Sequence, residues 1–401
     1  MLTFILSRGI PTEQYPTNGV FEFDQACALQ EAGCQVVFLA LDLRSARRVR
    51  RWGFQSFSRN GVAVRVLSVP LGNLPKKIFY PIGSWALQKL YARAVKEFGK
   101  PNVLHAHFTD YGYLAAKLKE TEQVPLVLTE HSSLVNQDKL PSDIEQAAKL
   151  AFTRADKLIA VSPALAEKMR EHSHRSVLWI PDMVDTELFA YTDEHEQMRS
   201  LWEETELEGG EFSFLSCGNL RKVKRMDVLI QAFARAFRDC PKVHLTICGQ
   251  GEEEGNLRKL IYDLKMENRI ELAGIRPREE IAQRLQQADC FVLASVSETF
   301  GVSYLEALSC GVPVIATRCG GPECFVNEHN GLMVEPDDVE GLASAMLTMY
   351  CNGGSYNRAA IAQEVRNHYS SQAVAARLME QYEQLTHQSE TQQHKQKALV
   401  G

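Results

Sequence analysis

The ten cysteines of this 401-residue chain include no CxxC pair. The usual zinc and dithiol spacings are therefore missing, and Cys217, Cys248 and Cys290 fall inside apolar, strand-like runs where a thiol acts as a small buried hydrophobe. Neither disulfides nor a metal site is expected. The chain also lacks an apolar run long enough to cross a bilayer, and its opening, MLTFILSRGI, passes from a short apolar strand into polar residues without a signal-peptide pattern. A cytoplasmic protein is the expectation. No GxSxG or Walker sequence occurs, which weakens hydrolase and P-loop readings. Acidic residues are missing altogether between Asp42 and Glu97, a window that holds twelve arginines and lysines in a chain whose net charge is −6. Segregation of this kind predicts an anionic partner for the N-terminal half, with nothing that points to nucleic acid.

What is present is a regular alternation. LTFILSR reads as a strand, PTEQYPTNG as a turn, FEFDQACALQEAG as an amphipathic helix ended by Gly33, and CQVVFLALD as a buried strand. The rhythm continues through VAVRVLSV, SWALQKLYARAVKEF, NVLHAHF, YGYLAAKLKE, PLVLTEH and DKLIAVS, which suits a doubly wound parallel sheet. It breaks at WIPDMVDTELF and the charged, helix-like stretch that follows. It restarts at FSFLSCGN and runs through VHLTICG, RIELAG, DCFVLAS and VPVIAT. The fold class expected is α/β, with two Rossmann-like, doubly wound domains facing across a deep cleft. The boundaries expected are 1–180 for the N-terminal domain, 181–365 for the C-terminal domain, 366–387 for a last helix, and 388–401 for a polar tail without structure.

The residues suited to chemistry lie where strands end. In SETFGVSYLEALSCG, Glu298 precedes a helix whose first amides, at Phe300, Gly301, Val302 and Ser303, have no helical acceptor and can meet an anion. Glu306 lies one turn beyond Val302, on the same side. Alone, such a pair reads as a helix cap and a half-exposed acid. GNLRKVKR adds Arg221 and Lys224 at another strand-to-helix turn, a charge arrangement that suits a diphosphate. Gly19 stands between the first strand and its helix, a usual seat for a phosphate contact. His107 and His131 end strands, and a lone histidine there is more often a packing residue than a catalyst.

Taken together, PTNGVFEFDQACALQEAG, HAHF, TEHSS, VSPALAEKM, IPDMVDTELF, GNLRKVK, ICGQGEE and SETFGVSYLEALSCGVPVIATRCGGPE resemble the retaining glycosyltransferases of family 4, which have the GT-B fold. The resemblance implies a C-terminal domain that binds a nucleotide-diphosphate sugar and an N-terminal domain that binds the acceptor. It implies that Glu298 contacts donor-sugar hydroxyls, that Glu306 holds the ribose, and that Gly19 and the amides from Phe300 to Ser303 meet sugar and phosphates. It places His131 beside the donor sugar as a catalytic residue, leaves His107 to the acceptor side or to support behind the site, and returns the last helix to the N-terminal domain. Two departures stand out. Asn219 replaces the arginine of the family's GRL pattern, so that Arg221 is the candidate substitute, and IPDMVD puts Asp182 and Met183 where a turn glycine is usual, read as a structural variation.

The expected activity is retaining transfer from a UDP- or GDP-sugar to a hydroxyl of a glycan or lipid-linked acceptor, in surface polysaccharide or glycolipid synthesis. No cofactor is expected, and Arg221 with Lys224 would do the charge work of a metal. The basic window 43–96, interleaved with Trp52, Phe54 and Phe57, fits a surface that docks on the anionic inner face of a membrane, a solvated face, or a site for an anionic acceptor. Rival readings are a GT-B nucleotide-sugar epimerase and a non-catalytic nucleotide-sugar-binding partner of another transferase.

Overall fold

The computed structural model describes all residues except 16–17, 46–49, 73, 138, 194–210 and 401, and beyond residue 387 it describes the backbone alone. Chain contacts divide it into two compact units, Met1–Met183 with Ser371–Gly401, and Val184–Ser370. The division falls three residues after the expected boundary at 180. Most of the charged linker read between the two halves lies outside the described residues.

The first unit contains β1 (Leu2–Ser7), α1 (Val20–Glu31), β2 (Gln35–Asp42), β3 (Gly53–Arg59), β4 (Val62–Ser68), α2 (Lys76–Phe98), β5 (Val103–His107), α3 (Thr109–Glu122), β6 (Leu126–Glu130), α4 (Ser142–Arg154), β7 (Lys157–Ala160), α5 (Pro163–Ser173) and β8 (Leu178–Trp179). Its sheet has the order β3-β4-β2-β1-β5-β6-β7-β8 and is parallel except where β3 meets β4. Strands such as β2, buried at every position after Gln35, are covered on both faces, which is why they read as apolar runs instead of alternating. Order reverses between β2-β1 and β5, and at such a switch point the carboxyl ends of neighbouring strands open a crevice.

Two elements and the basic window differ from expectation here. β3 is an antiparallel edge strand joined to β4 by Asn60 and Gly61, both at positive φ. That Asn-Gly pair is a strong hairpin signal. α2 starts eight residues earlier than read, at Lys76, and carries Pro81 within it. The proline ring is exposed, so it forfeits one helical bond without displacing core side chains. Part of the basic window is also internally neutralised. Buried Arg65 pairs with Glu97, and Lys76 Nζ lies 2.5 Å from Asp110.

The second unit contains β9 (Phe212–Cys217), α6 (Met226–Phe237), β10 (Val243–Cys248), α7 (Glu254–Asp263), β11 (Ile270–Gly274), α8 (Arg278–Gln287), β12 (Cys290–Val292), α9 (Val302–Ser309), β13 (Val314–Thr317), β14 (Gly331–Val334), α10 (Val339–Asn352) and α11 (Arg358–Tyr369). The sheet is parallel throughout, in the order β11-β10-β9-β12-β13-β14, with its own switch point between β9 and β12.

The expected C-terminal helical segment is two helices. α11 ends at Tyr369, Ser370 is extended, and α12 (Ser371–Val400) follows. Val374, Ala375, Leu378, Tyr382 and Leu385 of α12 join the buried core of the first unit, among Ile5, Phe23 and Phe38. The segment 388–400, read as a tail without structure, continues α12 as helix. Its glutamines, lysines and alanine are good helix formers, and polarity argues only against burial.

Candidate active site

In the second unit, the chain leaving β12 reaches Glu298, which forms a bridge to Gly320 and donates its N–H to the Cys319 carbonyl at 3.2 Å. This tie to the stretch after β13 fixes a carboxylate that is only 9% exposed. Two donors meet one of its oxygens, the Lys224 Nζ at 2.5 Å and the Ser295 Oγ at 2.7 Å, both on Oε1. No described residue reaches Oε2, which is left to accept from a ligand. A buried acid with one oxygen anchored and the other open is suited to gripping a hydroxyl.

Immediately after it, Gly301 caps α9 with φ 101°, and a Cβ there would stand 2.8 Å from the Tyr304 ring. Glycine is needed for the turn itself, whatever approaches it. Phe300 is core, packed on Phe325 and Tyr369, so only its backbone can serve a ligand. The amides of Phe300, Gly301, Val302 and Ser303 have no acceptor among the described residues. Half-buried Glu306 is near the carboxyl end of β9: the Cys217 thiol there is pushed well up by its hydrogen bond with Cys248, by burial, and by the charges of Cys248 and Glu306.

Of the two cations singled out in GNLRKVKR, Lys224 joins Glu298 and Arg221 does not. Arg221 is exposed and lines a cavity of about 480 Å3 with Asn219, Gln250, Gly251, Glu252 and Glu254. A short 3₁₀ turn, Lys222–Lys224, is what swings the two side chains apart.

In the first unit, the switch point holds a file of histidines. His105 and His107 stack with centroids 4.4 Å apart, and His107 Nδ1 lies 2.9 Å from His131 Nε2. His105 is tied to the Tyr382 hydroxyl at 2.5 Å and the Thr129 hydroxyl at 2.7 Å. Burial, aided by the charge of His131, pulls His105 down to about 3, and burial with its neighbours pulls His107 well down too. His107 is fully buried and its Nε2 has no hydrogen-bond partner among the described residues.

His131 behaves differently. Burial alone would lower it, but the Asp182 carboxylate, 3.0 Å from Nδ1, with Glu22 and Glu130, outweighs burial and raises it. Asp182 acts on the ring both through its charge and as a hydrogen-bonding partner of Nδ1. Asp182, read as a turn variation, is thus the residue that most favours the imidazolium. Glu130 is fully buried and accepts from Thr109 and from the amides of His131 and Ser132, which fixes the loop that carries the histidine. Gly19, at φ 72°, would put a Cβ 2.4 Å from the Gly9 carbonyl, so its glycine is dictated by close backbone packing.

Sequence reasoning missed Ser295, Glu130, the partnership of Asp182 with His131, and His105. The only signal for the last lay in the alternation HAH, which puts His105 and His107 on one face of β5.

Two family models cover most of the chain. Residues 20–188 match the model described as Glycosyltransferase Family 4, and residues 199–367 match Glycosyl transferases group 1. Among curated proteins, a D-inositol 3-phosphate glycosyltransferase of Pseudarthrobacter chlorophenolicus is 28% identical over 82% of this chain and 81% of its own length. The N-acetyl-alpha-D-glucosaminyl L-malate synthase of Bacillus anthracis is 26% identical, over 62% of this chain and 65% of that protein, just under two thirds of it. Among solved structures, sucrose-phosphate synthase from Thermosynechococcus elongatus is similar with a TM-score of 0.78 at 20% identity, over 96% of this chain and 99% of that one. Anabaena HepE, crystallised with UDP-glucose, is similar with a TM-score of 0.71 at 19% identity, over 96% of this chain and 100% of that one. At these identities the structural likeness speaks for the fold. The chain belongs to the family 4, group 1 glycosyltransferases and is a glycosyltransferase of GT-B type.

Proposed function

We propose that the protein is a retaining transferase that moves a sugar from a nucleotide-diphosphate sugar, UDP- or GDP-linked, to a hydroxyl of a glycan or lipid-linked acceptor. The observation that carries this reading is Glu298: buried, anchored through Oε1 by Lys224 and Ser295, and followed by the unsatisfied amides that open α9. Anabaena HepE with bound UDP-glucose adds support for the donor class.

In this reading, Glu298 Oε2 accepts from a donor-sugar hydroxyl and fixes the ring. The amides from Phe300 to Ser303 and the Lys224 ammonium stabilise charge as the diphosphate leaves, and Glu306 holds the ribose. The departing phosphate oxygen takes the acceptor proton on the face it vacates, so configuration is retained without a protein nucleophile. His131, whose protonated form Asp182 favours, serves the donor sugar in this reading. Lys224 supplies the compensating charge locally, and activity is expected to survive chelation. The exposed Trp52, Phe54, Phe57 and Trp85 and the arginines around them suit peripheral contact with an anionic membrane.

The test is a screen of UDP-, GDP- and ADP-sugars for thermal stabilisation and slow hydrolysis. A donor at a hundredfold excess over its Kd should add about 2.7 kcal/mol. Absence of any shift across all three series would remove the reading, and conversion of the donor sugar without acceptor would favour an epimerase.

A further inference from the structure

A second cavity, of about 480 Å3, lies wholly within the first unit, where the loop after β1 meets the carboxyl end of β2 and the β3-β4 hairpin. Its lining includes Tyr15, Asp42, Arg44, Arg50, Arg51 and Ser68. Asp42 is buried and works as a clamp. It takes the Arg44 fork through Nε at 2.9 Å and Nη2 at 3.1 Å, and it also takes Arg50 Nη1. One carboxylate therefore orients two guanidinium groups and neutralises one of them, while Arg51 adds a third positive charge and exposed Glu13 a negative one. The Tyr15 ring lies 5.5 Å from both clamped guanidinium carbons.

The Arg50 side chain is only 10% exposed, yet its Nε and Nη2 are buried without a partner among the described residues. Leaving charged donors unsatisfied costs free energy that a folded chain normally avoids, and an anionic oxygen from outside would recover it. Nε and Nη2 form one edge of the guanidinium fork, a shape that matches two oxygens of a single oxyanion. Burial lowers the pKa of both Arg44 and Arg50, as expected for cations held in advance of a counter-charge.

We propose that this cavity binds the phosphate of a phosphate monoester, and that the acceptor of the transfer carries that phosphate. The second half of the proposal rests on the transferase reading; capture of the anion does not. A monoester fits better than a neutral glycan because two of its oxygens fill the Arg50 edge and its second charge is met by Arg51.

The experiment is calorimetric titration of the full-length protein with glycerol 3-phosphate, with glycerol as control. In parallel, vesicles of phosphatidate are compared with vesicles of phosphatidylglycerol, a diester. Saturable binding of glycerol 3-phosphate places the phosphate on a soluble acceptor; preference for phosphatidate vesicles alone places it on a lipid. Either must weaken about tenfold or more in Arg50→Gln, and about threefold in Arg51→Gln, an exposed position whose change does not threaten the fold. No binding in either arm, or binding unchanged in both variants, overturns the pocket. Stabilisation by a nucleotide sugar, measured on the same wild-type sample, separates the two ideas: a donor response without phosphate binding overturns the pocket and leaves the transferase reading standing. Phosphate binding without any donor response supports the anion site and overturns its assignment to an acceptor.

Discussion

Glu298 and Asp182 are single carboxylates whose surroundings give them opposite tasks. Glu298 has one oxygen tied to Lys224 and Ser295 and one left open. Glu298→Gln should retain the fold and lower turnover by about a hundredfold or more, measured as kcat with a saturating donor. Lys224→Met should instead cost stability, about 3 kcal/mol in denaturant unfolding, since it strands a buried acid without its counter-charge. Asp182 is the main stabiliser of charged His131. In Asp182→Asn the His131 titration, followed by NMR, should move to lower pH than in the wild type; no movement would show that another group holds the charge. Glu298 was legible because helix-start chemistry is local. The role of Asp182 was not, because its partner arrives from the end of a different strand.

At the scale of elements, parallel strands and their helices could be read from apolar runs and turn residues, since central strands such as β2 and β5 are buried on both faces. β3 escaped because its outward side chains, Phe54 and Phe57 among arginines, look like a surface patch, although Asn60-Gly61 marks the hairpin. The terminal helix was legible as helix, but its length was not, because polarity reports burial and says little about backbone conformation. α12 lends Leu378 and Tyr382 to the first unit's core. Leu378→Ala should destabilise that unit by roughly 2–5 kcal/mol, with the spread set by how far the cavity collapses. Unfolding monitored in the first unit is the check; a change below experimental error would mean that the helix docks without contributing to stability.

At the scale of the whole molecule, the buried histidines make the first unit acid-sensitive. His105 is held near 3 and His107 well down, so in the folded state both stay neutral over a range where the unfolded chain takes up protons. Stability is therefore lost as pH falls through about 6.5 toward 3, by about 1.4 kcal/mol per pH unit for each histidine. His131 acts in the opposite sense: its contribution is complete below the unfolded value and disappears as pH rises through its raised folded value. Thermal scans across this range should show the first unit's transition falling with pH, and His105→Asn should flatten the slope.

The sequence by itself determined the alternation of strands and helices, the two-part organisation and the acid pair around α9, because periodicity, turn residues and helix starts are written in neighbouring positions. Only the tertiary structure decided that Lys224 and not Arg221 meets Glu298, that Asp182 lies against His131, and that Arg50, paired with Asp42 through Nη1, keeps Nε and Nη2 without a partner among the described residues. Each of those outcomes depends on where a turn points a side chain and on how much water is removed around it, quantities that no local pattern encodes.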